Sequence, residues 1–339
     1  MDKNRIKLIQ DLLKSEEALF VYSPSNVFYL IEKRINGLFL LITKYEIFAL
    51  VSKMLKSQAE DVLNLKTIVG DTFKDQALQI KKLNIKKIYL DSEDISFNLY
   101  ILIKKYFSDV NFSQIIKNLR ITKSQKEIDK INKAIRITNK VLNETRLFIK
   151  EGVTEIQVKN FILQKFLFYD VEASFEPIVA FGKNSAYPHH ISDHTKFQSE
   201  DIILIDLGCK VNGYCCDITR VYNLNEEARK YYKILVTLQK KLISMCKVNM
   251  KVKDIHNYAL DFLSQYGIED KYLHSTGHGL GVDIHEPPFV SFRDKTILKE
   301  GMVITIEPGV YFRNKFGLRI EDDILITTSS AKILTKNIK

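Results

Sequence analysis

Between Ser124 and Phe148 apolar side chains return every three or four positions: Ile128, Ile131, Ile135, Val141 and Leu142 share one side of a helix. Ser124, followed three residues later by Glu127, forms a capping box that opens this helix. The helix should stop near Gly152, and a second box, Thr154 with Gln157, opens another. Upstream the pattern is shorter. Residues 37–52 read as two apolar strands around Lys44-Tyr45, 76–83 as helix, 85–90 as a short strand and 98–107 as helix. The first twenty residues mix charge with leucine and isoleucine and predict an amphipathic helix, without the continuous apolar core of a signal segment. Downstream, two β-rich runs in 202–222 flank Asn212-Gly213, the strongest short hairpin signal. The pattern predicts a two-domain protein of α/β (α+β) class, with domains at residues 1–122 and 123–339.

The two parts differ in their special residues. All seven histidines lie at or after His189, and eleven of thirteen glycines and five of six prolines at or after Gly152. A half that places ligands on tight backbone needs such residues; a half that only packs does not. The net charge of +10 comes from scattered lysines with no run of five, which reads as a solvated surface and not a nucleic-acid groove. The longest apolar run, residues 37–43, is far short of a membrane span of ~18 residues. The four cysteines, Cys209, Cys215, Cys216 and Cys246, have no C-x-x-C spacing, so neither a disulfide framework nor a thiolate zinc site is expected. A soluble cytoplasmic protein with reduced thiols is the expectation.

The hairpin carries the first candidate chemistry. With a two-residue turn at Asn212-Gly213, Gly208 faces Asp217, and Asp206 lies two residues further along the same strand. Asp206 and Asp217 then become diagonal neighbours on one face, ~7–8 Å apart at the backbone, provided no bulge shifts the register. That spacing lets two carboxylates reach toward ions between them. Two ordinary polar-face aspartates are the alternative. Glu307, in GMVITIEPGVY, and Glu321, in GLRIEDDILI, each interrupt an apolar run. A buried carboxylate must be paired or metal-bound. Arg319, two residues from Glu321 on the same strand face, is a candidate counter-charge, so a metal-free ion pair is the competing reading.

Five segments stand in order: AYPHH, DLGCKVNGYCCDITR, TGHGLGVDIHEPP, TIEPGVY and LRIEDD. Together they resemble the catalytic domain of the pita-bread metallopeptidases, the family of methionine aminopeptidase, aminopeptidase P and prolidase, over roughly residues 124–328. The first half resembles the creatinase-type N-terminal domain, mainly through SPSNVFYL, although Ile-Glu-Lys follows where the family has Gly-Phe. The resemblance implies two divalent ions, with Asp217 and Glu321 bridging both, Asp206 on one, and His278 with Glu307 on the other. Oxygen-rich sites with one imidazole suit manganese or cobalt. It further implies that a bridging hydroxide attacks the scissile carbonyl while Glu307 shuttles its proton. His278, between two glycines that would let backbone pass near the ions, is the ligand among the histidines of that segment. His285 and His189 take substrate-side roles near the developing charge. Arg293 corresponds to a substrate-carboxylate arginine of prolidases, and Arg319 also stands near the substrate. His274, His190, His194 and His256 carry structural expectations.

HEPP and YPH resemble the proline-directed branches. The implied activity is hydrolysis of the Xaa-Pro bond of short peptides, dipeptides preferred, with an Xaa-Pro aminopeptidase for longer peptides as the alternative. A homodimer is implied, with no nucleic-acid or membrane partner. A non-catalytic binding module on the same fold would have lost ligands, and all five are present.

Overall fold

A computed structural model describes residues 2–92 and 94–336. The chain divides into two compact units, Met1–Arg120 and Ile121–Lys339, against an expected boundary at 122/123.

The first unit runs α1 (Lys3–Leu12), β1 (Glu17–Val21), α2 (Pro24–Ile31), β2 (Phe39–Thr43), β3 (Ile47–Val51), α3 (Lys56–Leu63), β4 (Lys66–Val69), α4 (Phe73–Lys81), β5 (Lys87–Leu90), α5 (Phe97–Tyr106), β6 (Asp109–Phe112) and α6 (Ile115–Ile121). Its six strands form one sheet in the order β4-β3-β2-β1-β5-β6, with β1, β2 and β3 antiparallel and β4, β5 and β6 added in parallel. The expected strands and helices of this half are present. The opening segment corrects the expectation of one amphipathic helix: only Lys3–Leu12 is helical, and Glu17–Val21 is an inner strand. The run Ala18-Leu19-Phe20-Val21 is buried throughout: β2 and β5 pair with its two edges, and Ala77 and Ile80 of α4 with Ile103 of α5 share a core with Ala18 and Phe20. A strand covered on both faces loses its polar alternation and reads as a plain apolar run.

The second unit opens with α7 (Gln125–Phe148) and α8 (Glu155–Phe168), each started by the capping box read in the sequence. Then follow β7 (Glu172–Ala173), β8 (Ile178–Phe181), β9 (Ile203–Leu207), β10 (Cys209–Val211), β11 (Tyr214–Cys215), β12 (Ile218–Tyr222), α9 (Glu226–Met245) and α10 (Val252–Ser264). The last strands are β13 (Gly277–Gly279), β14 (Glu286–Val290), β15 (Val303–Ile306), β16 (Gly309–Phe312), β17 (Phe316–Arg319), β18 (Asp322–Ile326) and β19 (Ala331–Ile333). A three-stranded sheet β12-β9-β8 and a five-stranded sheet β14-β13-β15-β18-β19 are the main layers. Leu235, Leu238 and Leu242 of α9, with Ile255, Ala259 and Phe262 of α10, belong to one core with Ile304, Ile306, Leu318 and Ile324 of the strands. Among the described residues no helix is long and apolar enough to cross a membrane.

The hairpin keeps its expected register from end to end. Asn212 and Gly213 have φ of 47° and 81°, the left-handed pair that a two-residue turn demands. Val211 faces Tyr214, Leu207 faces Ile218, and Ile203 faces Tyr222, so no bulge intervenes. Gly208 is needed in this register because a Cβ there would lie 1.9 Å from the carbonyl oxygen of Cys216.

Candidate functional site

The hairpin brings Asp206, on β9, and Asp217, just before β12, to one face. His278 is the middle residue of β13. Glu307 stands in the break between β15 and β16, and Glu321 in the break between β17 and β18. The two glutamates interrupt apolar runs because the strands themselves stop there. The backbone N–H of Glu307 donates to the Thr276 carbonyl at 2.8 Å and that of Glu321 to the Thr219 carbonyl at 3.3 Å, fixing both breaks. The glycines beside His278 serve strand approach: a Cβ on Gly277 would meet the Thr305 carbonyl oxygen at 2.0 Å, and one on Gly279 the Pro287 carbonyl at 2.4 Å.

These five side chains converge. Asp206, Asp217 and Glu321 offer oxygens within 4.8 Å of one another, and so do the ligand atoms of His278, Glu307 and Glu321. Glu321 belongs to both groups. His278 Nε2 lies 3.5 Å from Asp217 Oδ2 and 3.6 Å from Glu307 Oε1. Its Nδ1 sits 3.1 Å from the Gly279 carbonyl, which makes Nδ1 the donor and turns the Nε2 lone pair to the carboxylates. His285 also comes within ligand distance of Asp217 and His278, with its ring 4.3 Å from that of His278.

The electrostatics are those of crowded anions. Burial raises the Asp217 carboxyl well above its ordinary value, and Glu321 and Asp206 push it further. Glu321 is raised well above its own by burial, then by Glu307 and Asp206. Burial lifts Glu307 to about 8, with Arg319 opposing and Asp206 adding to the rise. His278 is lowered to about 3, first by burial and then by His285, so it is a neutral imidazole. Asp206 Oδ1 and Asp217 Oδ1 are among the few buried polar atoms, within the described residues, that have no hydrogen-bond partner.

Arg319 departs from its expected partner. Its Nη2 pairs with Asp206 Oδ2 at 2.6 Å, not with Glu321. It reaches Glu321 through Thr219, whose hydroxyl accepts from Arg319 Nε at 3.0 Å and donates to Glu321 Oε2 at 2.7 Å. Arg319 Nη1 also donates to the Tyr311 hydroxyl at 2.7 Å, and that hydroxyl lies 2.9 Å from His274 Nε2. His274 Nδ1 faces the Ser275 carbonyl at 2.8 Å, so the Tyr311 hydroxyl donates to Nε2. His274 is thus a satisfied neutral histidine, lowered to about 3 by burial and by Arg319.

A cavity of about 490 Å³ opens over the cluster. His189, His285 and Arg319 line it with Phe175, Pro188 and Phe289. Arg293 does not: it is exposed, its guanidinium 5.1 Å from the Phe292 ring centre, and it is absent from the cavity wall. That removes the geometric support for Arg293 as a carboxylate clamp. His256 is buried against the Thr276 hydroxyl at 2.9 Å, and His190 pairs with Glu155 at 2.6 Å, both outside the cluster. Asp323, Thr219 and Tyr311 were not singled out from the sequence. Asp323 is fully buried, and its Oδ2 accepts the Asp217 N–H at 3.2 Å. The run of three acids and the strand alternation held a signal for it: Asp323 is two residues from Glu321.

Known proteins share this arrangement of chain. The pattern that describes metallopeptidase family M24 matches residues 129–328. An Xaa-Pro dipeptidase of Pyrococcus furiosus is 34% identical over 330 residues, covering 95% of this chain and 94% of that protein. The structure of an Xaa-Pro dipeptidase from Bacillus anthracis aligns with a TM-score of 0.92 at 26% identity, over 99% of this chain and 97% of the other. An X-Pro aminopeptidase from Thermotoga maritima MSB8 aligns with a TM-score of 0.87 at 28% identity, over 96% and 97%.

Proposed function

This chain belongs to metallopeptidase family M24 and is a peptidase; on that premise we propose that it hydrolyses the Xaa-Pro bond of short peptides, dipeptides first, using two divalent cations. Its architecture is an N-terminal α/β domain followed by a pita-bread domain. Asp206, Asp217 and Glu321 would hold one ion and His278, Glu307 and Glu321, with Asp217, the other.

One observation carries this reading. Four carboxylates and one imidazole converge, and Asp206 Oδ1 and Asp217 Oδ1 are buried without partners. Buried carboxylate oxygens without partners are costly, and cations would relieve both the missing bonds and the mutual repulsion. An oxygen-rich set with a single imidazole favours manganese or cobalt over a metal suited to thiolates. When bound, two such ions acidify a water and polarise a carbonyl.

The chain's own groups supply the rest. Neutral His278 presents Nε2 and needs no deprotonation. The Glu307 carboxylate, with Oε1 3.6 Å from His278 Nε2 and Oε2 3.7 Å from His274 Nδ1, would take a proton from the attacking water and pass it to the departing nitrogen. His189 and His285 line the cavity and would donate to the developing oxyanion. Phe175, Pro188 and Phe289 give the cavity an apolar side suited to a proline ring, which brings no N–H to satisfy. Arg319 orients Asp206 through their 2.6 Å ion pair. A homodimer follows the family resemblance.

The Xaa-Pro aminopeptidase reading stays in play because the Thermotoga maritima X-Pro aminopeptidase aligns over both units. The deciding assay compares Ala-Pro, Ala-Pro-Ala and Met-Ala peptides with manganese-loaded protein. Ala-Pro should be cut fastest. Faster cleavage of the tripeptide would select the aminopeptidase, and cleavage of Met-Ala alone would end the proline-directed reading. The same preparation should hold close to two ions per chain. Asp217→Ala should lose metal and activity together, His278→Ala should lose metal, and His285→Ala should keep its metal while losing rate.

A further inference from the structure

We propose that Glu155 is a positioning residue for His189: its carboxylate fixes the shape of the segment 181–193 on which His189 stands. The proposal rests on the peptidase reading above for the part His189 plays. Glu155 is the first residue of α8, and its side chain is fully buried. Its oxygens are filled by four donors. Oε1 accepts from the Phe181 N–H at 2.7 Å and from Asn184 Nδ2 at 3.0 Å. Oε2 accepts from His190 Nε2 at 2.6 Å and from the Asp193 N–H at 3.1 Å. These donors stand at both ends of the segment and within it. The main chain adds two more ties, Glu155 N–H to the Thr195 carbonyl at 3.1 Å and Ile156 N–H to the Asp193 carbonyl at 2.9 Å.

His189 lies on the cavity wall between two held neighbours. Before it, the Pro188 carbonyl accepts from Arg319 Nη1 at 3.3 Å, and Arg319 also holds Asp206. After it, the His190 ring is held by Glu155. The orientation of His189 is therefore set by its backbone, gripped on one side from the carboxylate cluster and on the other from α8. An acid in the first turn of a helix is an ordinary capping choice, and an exposed one would satisfy the helix equally well. A buried carboxylate with every acceptor position directed at one loop does more than cap. Glutamine in its place would keep one carbonyl acceptor and turn its amide hydrogens against the Asp193 N–H.

The test is a double-mutant cycle in the manganese-loaded enzyme, with Glu155→Gln, His189→Ala and the pair. Metal content is measured on each, as is hydrogen exchange of residues 181–193 on the metal-free proteins. Glu155→Gln should lower kcat/KM by about 10- to 100-fold, as outer-sphere positioning groups do. It should leave metal content unchanged and speed exchange in 181–193. In the His189→Ala background the same change should cost less than about threefold, since residues that act as a unit do not add. Equal losses in the two backgrounds, or unchanged exchange in the segment, would overturn the proposal. Should Glu155→Gln fail to fold, His190→Asn removes a single one of the four bonds and is judged by the same criteria. If the wild type cleaves none of the peptides, the peptidase reading has failed, and the exchange result alone then decides the claim about the segment.

Discussion

Arg319 shows how far a single residue can be read from sequence. Its nearness to Glu321 along a strand was visible, yet its ion pair is with Asp206, 113 positions away. Residue type and local face are written in the sequence; the partner of a buried charge depends on which strands the fold brings alongside. The same holds for Thr219 and Tyr311, ordinary strand residues until the fold places Arg319 beside them. Asp91, in the first unit, gives a residue-scale prediction. Its Oδ1 accepts from the Tyr22 N–H at 3.1 Å, and its Oδ2 from the Ser23 N–H at 3.3 Å and Asn26 Nδ2 at 2.8 Å. Burial nevertheless outweighs these bonds and raises its carboxyl from 3.8 to about 6. The folded form then holds its proton more tightly than the unfolded chain. The resulting stability is present below the unfolded value near 4 and is lost as pH rises through about 6, amounting to about 3 kcal/mol. Urea unfolding of wild type and Asp91→Asn from pH 4 to 7 should show the wild-type advantage shrinking by about that amount. A difference that stays flat over this range would remove Asp91 as the cause.

At the scale of elements, local chemistry carried most of the reading. Two capping boxes opened α7 and α8 where expected, and Asn212-Gly213 set a register that holds across the hairpin. What failed was an element whose surroundings decide its type. Ile6, Ile9 and Leu13 keep a helical spacing that flows into Ala18–Val21, and only the flanking β2 and β5 make the second part a strand. Glycine positions are legible in the sequence, but the reason for a particular one is not: the tight approach at Gly208 is between two segments of chain far closer than any side chain would allow. Gly208→Ala would force a Cβ to 1.9 Å from the Cys216 carbonyl oxygen. The hairpin must then open, at a cost of about 3 kcal/mol, the upper end of what overpacking usually costs. Denaturant unfolding should show that loss, and metal content should fall as Asp217 leaves Asp206. A variant as stable and as metal-replete as wild type would show that the register tolerates the extra atom.

For the whole molecule, the segregation of histidine, glycine and proline anticipated that one unit would carry the chemistry: every residue lining the cavity lies between Phe175 and Glu321. Each unit also has its own buried core, Phe20, Leu41 and Ile88 in the first and Leu238, Ile304 and Ile324 in the second. The hydrogen bond from Thr219 to Glu321 spans 102 positions of chain, and that separation governs the order of events during folding. Asp206 and Asp217 meet as soon as a local hairpin closes, whereas Glu321 arrives only after the intervening chain has been threaded into the five-stranded sheet. Distant pairings of this kind form late because the entropy of closing the long loop comes first. On that order cations would find no complete cage in a partly folded chain and would not act as a nucleus. Manganese in a refolding buffer should leave the refolding rate unchanged while slowing unfolding, because it binds what the transition state lacks. Acceleration of refolding by manganese would mean that the carboxylates assemble early. Otherwise ion capture acts as a latch, closing on a polypeptide that has already found its shape against the repulsion of its own acids.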